Sequence, residues 1–430
     1  MGDLEALWEH AVGPALIFGR LWEELGLGEI LEERLAGRRF SFPVERAVFA
    51  SVLHRLFESG SDRQGYRFLR DVYVPGAEGL ELHHFYRAMR FLGEEREGIE
   101  EALFARTRDL FTDLRLVFFD TTSLYFVGEG GELGERGYSR DRRPELAQVV
   151  GALLSGEGRP ISCEVYPGNQ ADVGAFLGAV DRARERFGLS EVCFVADRGV
   201  VSSEVIRGLE ERGLKYILGV RLRQAKEVRE VVLSHPGRYR AVEGNLRVKE
   251  VWVEERRYIV CLNPEQAEKD RRERELLLEA LSEKLSRGAK ALVGNRGFRR
   301  YLRVEKGAVR IDPEKVREEA RYDGKWVLRT NTDLPAGEVA LQYKRLLQVE
   351  QFFRAAKNLL ETRPIFHKYR ATITGHIFVS FLALVPLEEL ERRLARKGLK
   401  VERGDLLRDL VEVREVGVRH GGKRYILTQL

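Results

Sequence analysis

Between residues 114 and 220 the chain changes texture in a fixed order, and that order limits the folds open to it. Residues 114–126 (LRLVFFDTTSLYF) are rich in β-branched and aromatic side chains and read as a strand. After a Gly/Arg-rich connection over 128–144, residues 146–155 and 160–166 read as two more strands, turned at Gly156-Glu-Gly158. Residues 171–187 have the apolar spacing of an amphipathic helix. Then come a short apolar strand at 191–196, a helix at 202–212 closed by Gly213, and a strand at 215–220. The order β-β-β-α-β-α-β predicts an α/β fold, a mixed sheet with crossover helices.

The flanks differ in texture. Residues 1–112 read as helical, with a strong apolar stripe over 44–57 behind Pro43 and further helical stretches at 83–91 and 97–110. From 224 to 325 the β-α alternation stops. Strand-like segments at 239–242, 246–254 and 258–262 precede one long charged helix, 264–287, which reads as an inserted subdomain. A helix is predicted over 337–360 and stopped by Arg363-Pro364, then an apolar helix over 376–395, then a hairpin over 413–429 around Gly421-Gly422. The predicted divisions are 1–112, 113–223, 224–325, 326–375 and 376–430.

Composition narrows the class. With 430 residues, 43% of them hydrophobic, the chain has enough apolar surface to fold rather than stay disordered. Cys163, Cys193 and Cys261 are widely spaced and form no C-x-x-C, which points to a reducing compartment and against a cysteine-based zinc site. The N-terminal sequence lacks a basic stretch before an apolar one. The longest apolar run, 377–387, falls short of the roughly 20 residues of a membrane span. The expectation is a soluble, cytoplasmic protein without a membrane partner.

The net charge is only +5, from 73 basic and 68 acidic residues, but it is unevenly spread. Residues 341–375 hold Lys344, Arg345, Arg354, Lys357, Arg363, Lys368 and Arg370 against Glu350 and Glu361, and residues 296–310 are similarly basic. Local positive charge of this kind suits a phosphate backbone; two solvated surfaces balanced by acidic helices elsewhere would look the same.

Three carboxylates stand out. Asp120 lies inside an apolar strand, an expensive place for a charge unless it is paired or binds a metal. Asp197 follows the strand 191–196 and precedes Arg198-Gly199; ligands of open α/β sheets gather at the carboxyl ends of parallel strands. Glu350 sits beside the buried stripe of its helix, with Leu346, Leu347 and Phe353 as neighbours. Tyr343 and Lys357 lie seven residues before and after it, nearly two turns, so the three share a face. The bland alternatives are an outward Asp on a half-exposed strand, a turn Asp before glycine, and a Glu350–Arg354 pair on a helix edge. Two Asp on adjacent strands with a Glu on a helix packed against them would make a divalent-metal site, since Mg²⁺ prefers oxygen ligands completed by water and phosphate.

These residues resemble the DDE transposases of bacterial insertion sequences, in the broad "insertion sequence four" group with a ribonuclease-H-like catalytic domain. Its first Asp matches Asp120 in Phe118-Phe-Asp-Thr-Thr-Ser-Leu-Tyr-Phe126, its second matches Asp197 in Val195-Ala-Asp-Arg-Gly199, and its Glu matches Glu350. The group's Tyr-x-x-Arg-x-x-x-Glu-x-x-x-x-x-x-Lys pattern is met by Tyr343, Glu350 and Lys357, with Leu346 in the Arg slot. Arg345, next to it, points about 100° away on a helix and is not given that role. The spacing from Asp197 to Glu350, 153 residues against 77 between the two Asp, resembles the group's placement of a largely β insertion before the catalytic helix. The likeness runs from about Ala47 to Leu390.

The resemblance implies a ribonuclease-H-like core in which Asp120, Asp197 and Glu350 hold two Mg²⁺, which Mn²⁺ can replace. It implies cleavage at the transposon ends, attack of the freed 3′-OH on target DNA, and a homodimer assembled on double-stranded DNA in the nucleoid. Tyr343, Lys357, Arg354 and Arg345 are expected at DNA phosphates, as are Arg140 and Arg142 with Arg143. The alternatives are a ribonuclease-H-like nuclease without strand transfer and an inactive DNA-binding remnant. Weaker candidates are His83-His84 as ligands, His367 near DNA, and Trp252 stacked on a base, against a core role for each.

Overall fold

The computed structural model describes residues 5–108, 116–126, 131–135, 147–155, 158–167, 172–189, 192–199, 201–287, 296–305, 308–346 and 365–429. In chain order the elements are β1 (Glu5–Ala11), α1 (Gly13–Glu24), α2 (Leu27–Leu35), α3 (Val44–Phe57), α4 (Asp62–Phe68), α5 (Leu82–Thr107), β2 (Leu116–Tyr125), β3 (Ala147–Ser155), β4 (Pro160–Pro167) and α6 (Asp172–Phe187). Next come β5 (Cys193–Ala196), α7 (Ser203–Glu211), β6 (Lys215–Val220), β7 (Arg240–Ala241), β8 (Arg247–Val253), β9 (Arg256–Leu262), α8 (Pro264–Arg287), α9 (Arg296–Arg299), β10 (Leu302–Glu305), β11 (Ala308–Ile311), α10 (Pro313–Ala320), β12 (Lys325–Thr330) and α11 (Ala336–Lys344). The last are α12 (Arg370–Arg396), α13 (Arg403–Glu412), β13 (Arg414–His420) and β14 (Lys423–Gln429). The central run from β2 to β6 follows the β-β-β-α-β-α-β order read from the sequence.

The chain divides into two compact units, Met1–Val192 with Arg345–Leu430, and Cys193–Lys344. In the first unit, β2, β3 and β4 form an antiparallel meander in the order β4-β3-β2, and Asp120 pairs with Ala152. Around it lies a helical layer built on α3, nearly all of it buried, and on the crossing of α5 with α12. At that crossing the backbones meet through two glycines. A Cβ on Gly93 would overlap the carbonyl of Ala371, and one on Gly375 would overlap the carbonyl of Met89. α12 is long and apolar enough to cross a membrane, yet most of its surface is covered inside this unit. Its hydropathy is that of a core helix.

Buried charge ties the helices to the meander. Glu100 of α5 is fully enclosed; its Oε2 meets Arg96 at 3.0 Å and Arg186 of α6 at 2.9 Å, and its Oε1 accepts the Cys163 N–H of β4 at 2.8 Å. Arg96 donates in turn to the Cys163 carbonyl at 2.7 Å. A buried carboxylate is tolerable when its lone pairs are taken up this way.

One segment departs from the helical reading of the N-terminal region. Residues Glu5–Ala11, made of good helix formers, are a strand paired antiparallel with β13, which pairs with β14. Tertiary pairing overrides a local propensity worth only tenths of a kcal/mol per residue. Trp8 lies over Gly417 and fills the space a side chain there would need.

In the second unit β5 and β6 are parallel, and the sheet continues antiparallel through β12, β9, β8 and β7. The 224–325 segment therefore contributes three strands to this sheet, joined at its β12 edge. Beyond them, α8 and the β10–β11 hairpin share a small core of Leu281, Tyr301 and Leu302.

Candidate active site

The best-defined candidate lies in the second unit, where β5 runs out. Cys193–Ala196 is buried throughout, and Asp197 follows as a half-buried residue at the carboxyl end of this parallel strand. The turn after it is held by Arg221, whose Nε donates to the Arg198 carbonyl and whose Nη2 donates to the Gly199 carbonyl, both at 3.0 Å. From α11, the Tyr343 hydroxyl donates to Asp197 Oδ1 at 2.7 Å. Among the described residues Asp197 Oδ2 accepts no hydrogen bond. Burial, then the charge of Asp197, pushes the Tyr343 hydroxyl well above the usual phenol range, so it keeps its proton and acts as donor. β6 makes room for this contact: a Cβ on Gly219 would overlap the Tyr343 hydroxyl and crowd the Arg198 amide. Glycine inside a strand marks close approach of this kind.

The other sequence candidates are placed less fully. Asp120 occupies the middle of β2 between buried Phe119 and Thr121. Arg345 is exposed in a turn after α11. Glu350, Arg354 and Lys357, and likewise Arg140, Arg142 and Arg143, lie outside the described residues. Of the helix predicted over 337–360, the structure describes Ala336–Lys344, and residues 347–360 lie outside the described residues. Trp252 is exposed beside Glu250. His83 lies against Glu81, and the His84 ring stacks on Phe42.

A second polar cluster, in the first unit, was not anticipated. Asp62, His367 and His376 can each offer a metal-ligand atom within 4.8 Å of the others. Arg55 changes that picture. This buried cation lies with Nη2 2.9 Å from His376 Nδ1, so the ring lone pair faces Arg55 and the ring proton sits on Nε2. Metal-bound histidines instead donate their second nitrogen to an acceptor, and a guanidinium competes with a divalent cation for the same ground. The cluster reads better as an ionic tie: His367 Nε2 meets Asp62 Oδ2 at 3.3 Å and holds residues 365–369 against the start of α4. Burial pushes the Asp62 carboxyl up, but the hydrogen bond to His367 and the positive charge around it, Arg55 included, outweigh it, leaving the group below its ordinary value.

His54, next to Arg55 in α3 and packed against Phe68 of α4, gives a pH prediction. Burial, then the neighbouring Arg55 charge, lowers its pKa to about 4, with Asp62 opposing. Below pH 6.5 the unfolded chain binds a proton here that the folded chain refuses, so stability falls as pH drops from about 6.5 to about 4. The loss should approach roughly 3 kcal/mol. Depressed Asp62 extends the decline further into acid. Thermal melts from pH 7.5 to 4.5 should show a His54→Gln protein with a shallower slope; parallel slopes would remove His54 as the cause.

Comparison with known proteins adds the family. Residues 112–385, more than half of the chain, match the family profile described as "Transposase DDE domain". No curated protein matches the sequence. Among solved structures, a piggyBac transposase synaptic complex with hairpin DNA aligns over 93% of this chain and 79% of its own, with 15% identity and a TM-score of 0.44. A Mos1 transposase paired-end complex with the left transposon end aligns over 42% of this chain and 60% of its own, with 13% identity and a TM-score of 0.18. Likenesses this loose carry no weight for mechanism. The family match spans Asp120, Asp197 and Glu350, and by it the chain belongs to the DDE-domain transposases.

Proposed function

We propose that this transposase moves an insertion-sequence element of the "insertion sequence four" type, with Asp120, Asp197 and Glu350 as its metal-holding carboxylates. The observation that supports it most directly is Asp197: a half-buried carboxylate at a strand end, one oxygen held by Tyr343 and the other uncommitted among the described residues. Such a group suits a hard divalent cation, which takes oxygen ligands. When bound, a pair of Mg²⁺ or Mn²⁺ ions would supply activation of the attacking oxygen and charge stabilisation at the leaving one.

In this reading Lys357, Arg354, Arg345, Arg140 and Arg142 hold the DNA backbone by phosphate contacts, which position without reading sequence. Water attacks a phosphodiester at the element's end and forms one P–O bond as the P–O3′ bond breaks. The released 3′-OH then attacks a target phosphodiester, with a target 3′-OH leaving. Joining both ends calls for a homodimer on double-stranded DNA, in the cytoplasm at the nucleoid.

The test is to incubate the protein with DNA carrying its gene's own flanks and Mg²⁺ or Mn²⁺, beside a Glu350→Gln protein. Metal-dependent nicking at the element boundary, followed by joined products, is expected from the wild type alone. Nicking without joining would indicate a nuclease, binding without nicking an inactive remnant, and equal nicking by Glu350→Gln a misplaced active site.

A further inference from the structure

We propose that Tyr343 is a positioning residue for Asp197 rather than a contact to DNA phosphate, and that Gly219 exists to admit its hydroxyl. This deepens the reading of Asp197 as a metal-holding carboxylate and rests on it.

The proton count decides between the two roles. A phenol has one proton to donate, and phosphodiester oxygens can only accept. In the structure that proton goes to Asp197 Oδ1 at 2.7 Å. Spending it on a phosphate would strip Asp197 of the hydrogen bond it makes among the described residues. Tyr343 is also half-buried, on a helix that packs over β5 and β6. Gly219 is level with the end of β5, one residue beyond the Ala196–Leu218 pair, and any side chain there would displace the hydroxyl.

The consequence is geometric. With Oδ1 fixed by Tyr343 and the following turn clamped by Arg221, the carboxylate has one orientation, and Oδ2 is the oxygen left for a cation. Outer partners that orient a ligating carboxylate typically alter metal affinity by about 10–100-fold.

Tyr343→Phe removes the hydroxyl and keeps the ring. Calorimetric titration of the DNA-free protein with Mn²⁺ should show affinity weakened about tenfold or more. DNA affinity without metal, and its dependence on salt, should match wild type, and raising Mn²⁺ should restore much of the cleavage. Gly219→Ala should weaken Mn²⁺ binding in the same direction although the hydroxyl is still present, and melting curves of both variants report whether the fold is kept. Unchanged Mn²⁺ affinity in a folded Tyr343→Phe protein would overturn the proposal. A DNA affinity weakened without metal, at an unchanged salt slope, would instead show a lost phosphate contact, because a neutral hydroxyl displaces no counterion. An Asp197→Asn protein separates the two levels. If it binds Mn²⁺ and cleaves like wild type, the reading of Asp197 fails; if it loses both while Tyr343→Phe loses neither, only the role of Tyr343 fails.

Discussion

Asp197→Asn is expected to leave a folded, DNA-binding protein whose metal-dependent cleavage is slower by about a thousandfold or more, equivalent to about 4 kcal/mol of transition-state stabilisation. The amide has nearly the shape of the carboxylate, and its oxygen can still accept from Tyr343, so the junction of α11 with β5 loses little. What disappears is a negative charge and an oxygen ligand. Single-turnover nicking of labelled end DNA, read beside a binding isotherm, checks both halves. Asp333→Asn is the matched control, because that side chain is almost fully exposed and, among the described residues, meets only Lys215; it should cleave normally. Nicking by Asp197→Asn within tenfold of wild type would place the chemistry elsewhere.

The largest expected effect on stability is at the crossing of α5 and α12. Gly375→Ala puts a methyl where the Met89 carbonyl already is, and Gly93→Ala does the same at the Ala371 carbonyl. Neither obstacle is a side chain that can swing away. Both belong to helix backbone, so the helices must separate or tilt, and the surrounding core loses contacts. Overpacking costs typically 1–3 kcal/mol. With backbone opposing backbone, a loss of about 3 kcal/mol or more is expected for each, a fall in Tm of roughly 5–10 °C. The double variant should lose less than the sum, since one displacement of the helices accommodates both methyls. Gly404→Ala, in α13 with open space around it, should change stability by no more than about 0.5 kcal/mol, as a gain. If Gly375→Ala melts with wild type, the helices are not in backbone contact there.

Where local periodicity carried the information, the sequence was readable. The run from β2 to β6 showed itself through apolar strands and amphipathic helices, and Asp197 through its position just past a four-residue buried strand. The hairpin of β13 and β14 was marked by its paired glycines. Contacts between distant residues were not readable. Tyr343 and Asp197 are 146 residues apart, Arg55 and His376 are 321 apart, and helical spacing says nothing about what a side chain meets on another element. Tyr343 was grouped with Glu350 and Lys357 because they share a helical face. In the structure its hydroxyl meets Asp197 at β5's exit, a contact that shared helical spacing does not announce, while Glu350 and Lys357 lie outside the described residues. Two local signs could have helped. Gly219 sits inside an apolar strand, where glycine signals close approach, and Asp62 directly follows Ser61, a helix-start residue that caps α4. β1 was misread for a different reason: its composition favours helix, and its strand state exists only through β13.

That dependence of β1 on β13 sets a clock on biosynthesis. Glu5 pairs with Arg419, so the first strand leaves the ribosome long before its partner is made. At about 5–20 residues per second the wait is roughly 20–80 s. Through that interval residues 5–11 lack the partner that makes them a strand, and Trp8 waits without the Gly417 backbone it covers in the finished sheet. The three-strand sheet closes only after the rest of the first unit has been synthesised, a long-range closure of the kind that slows folding.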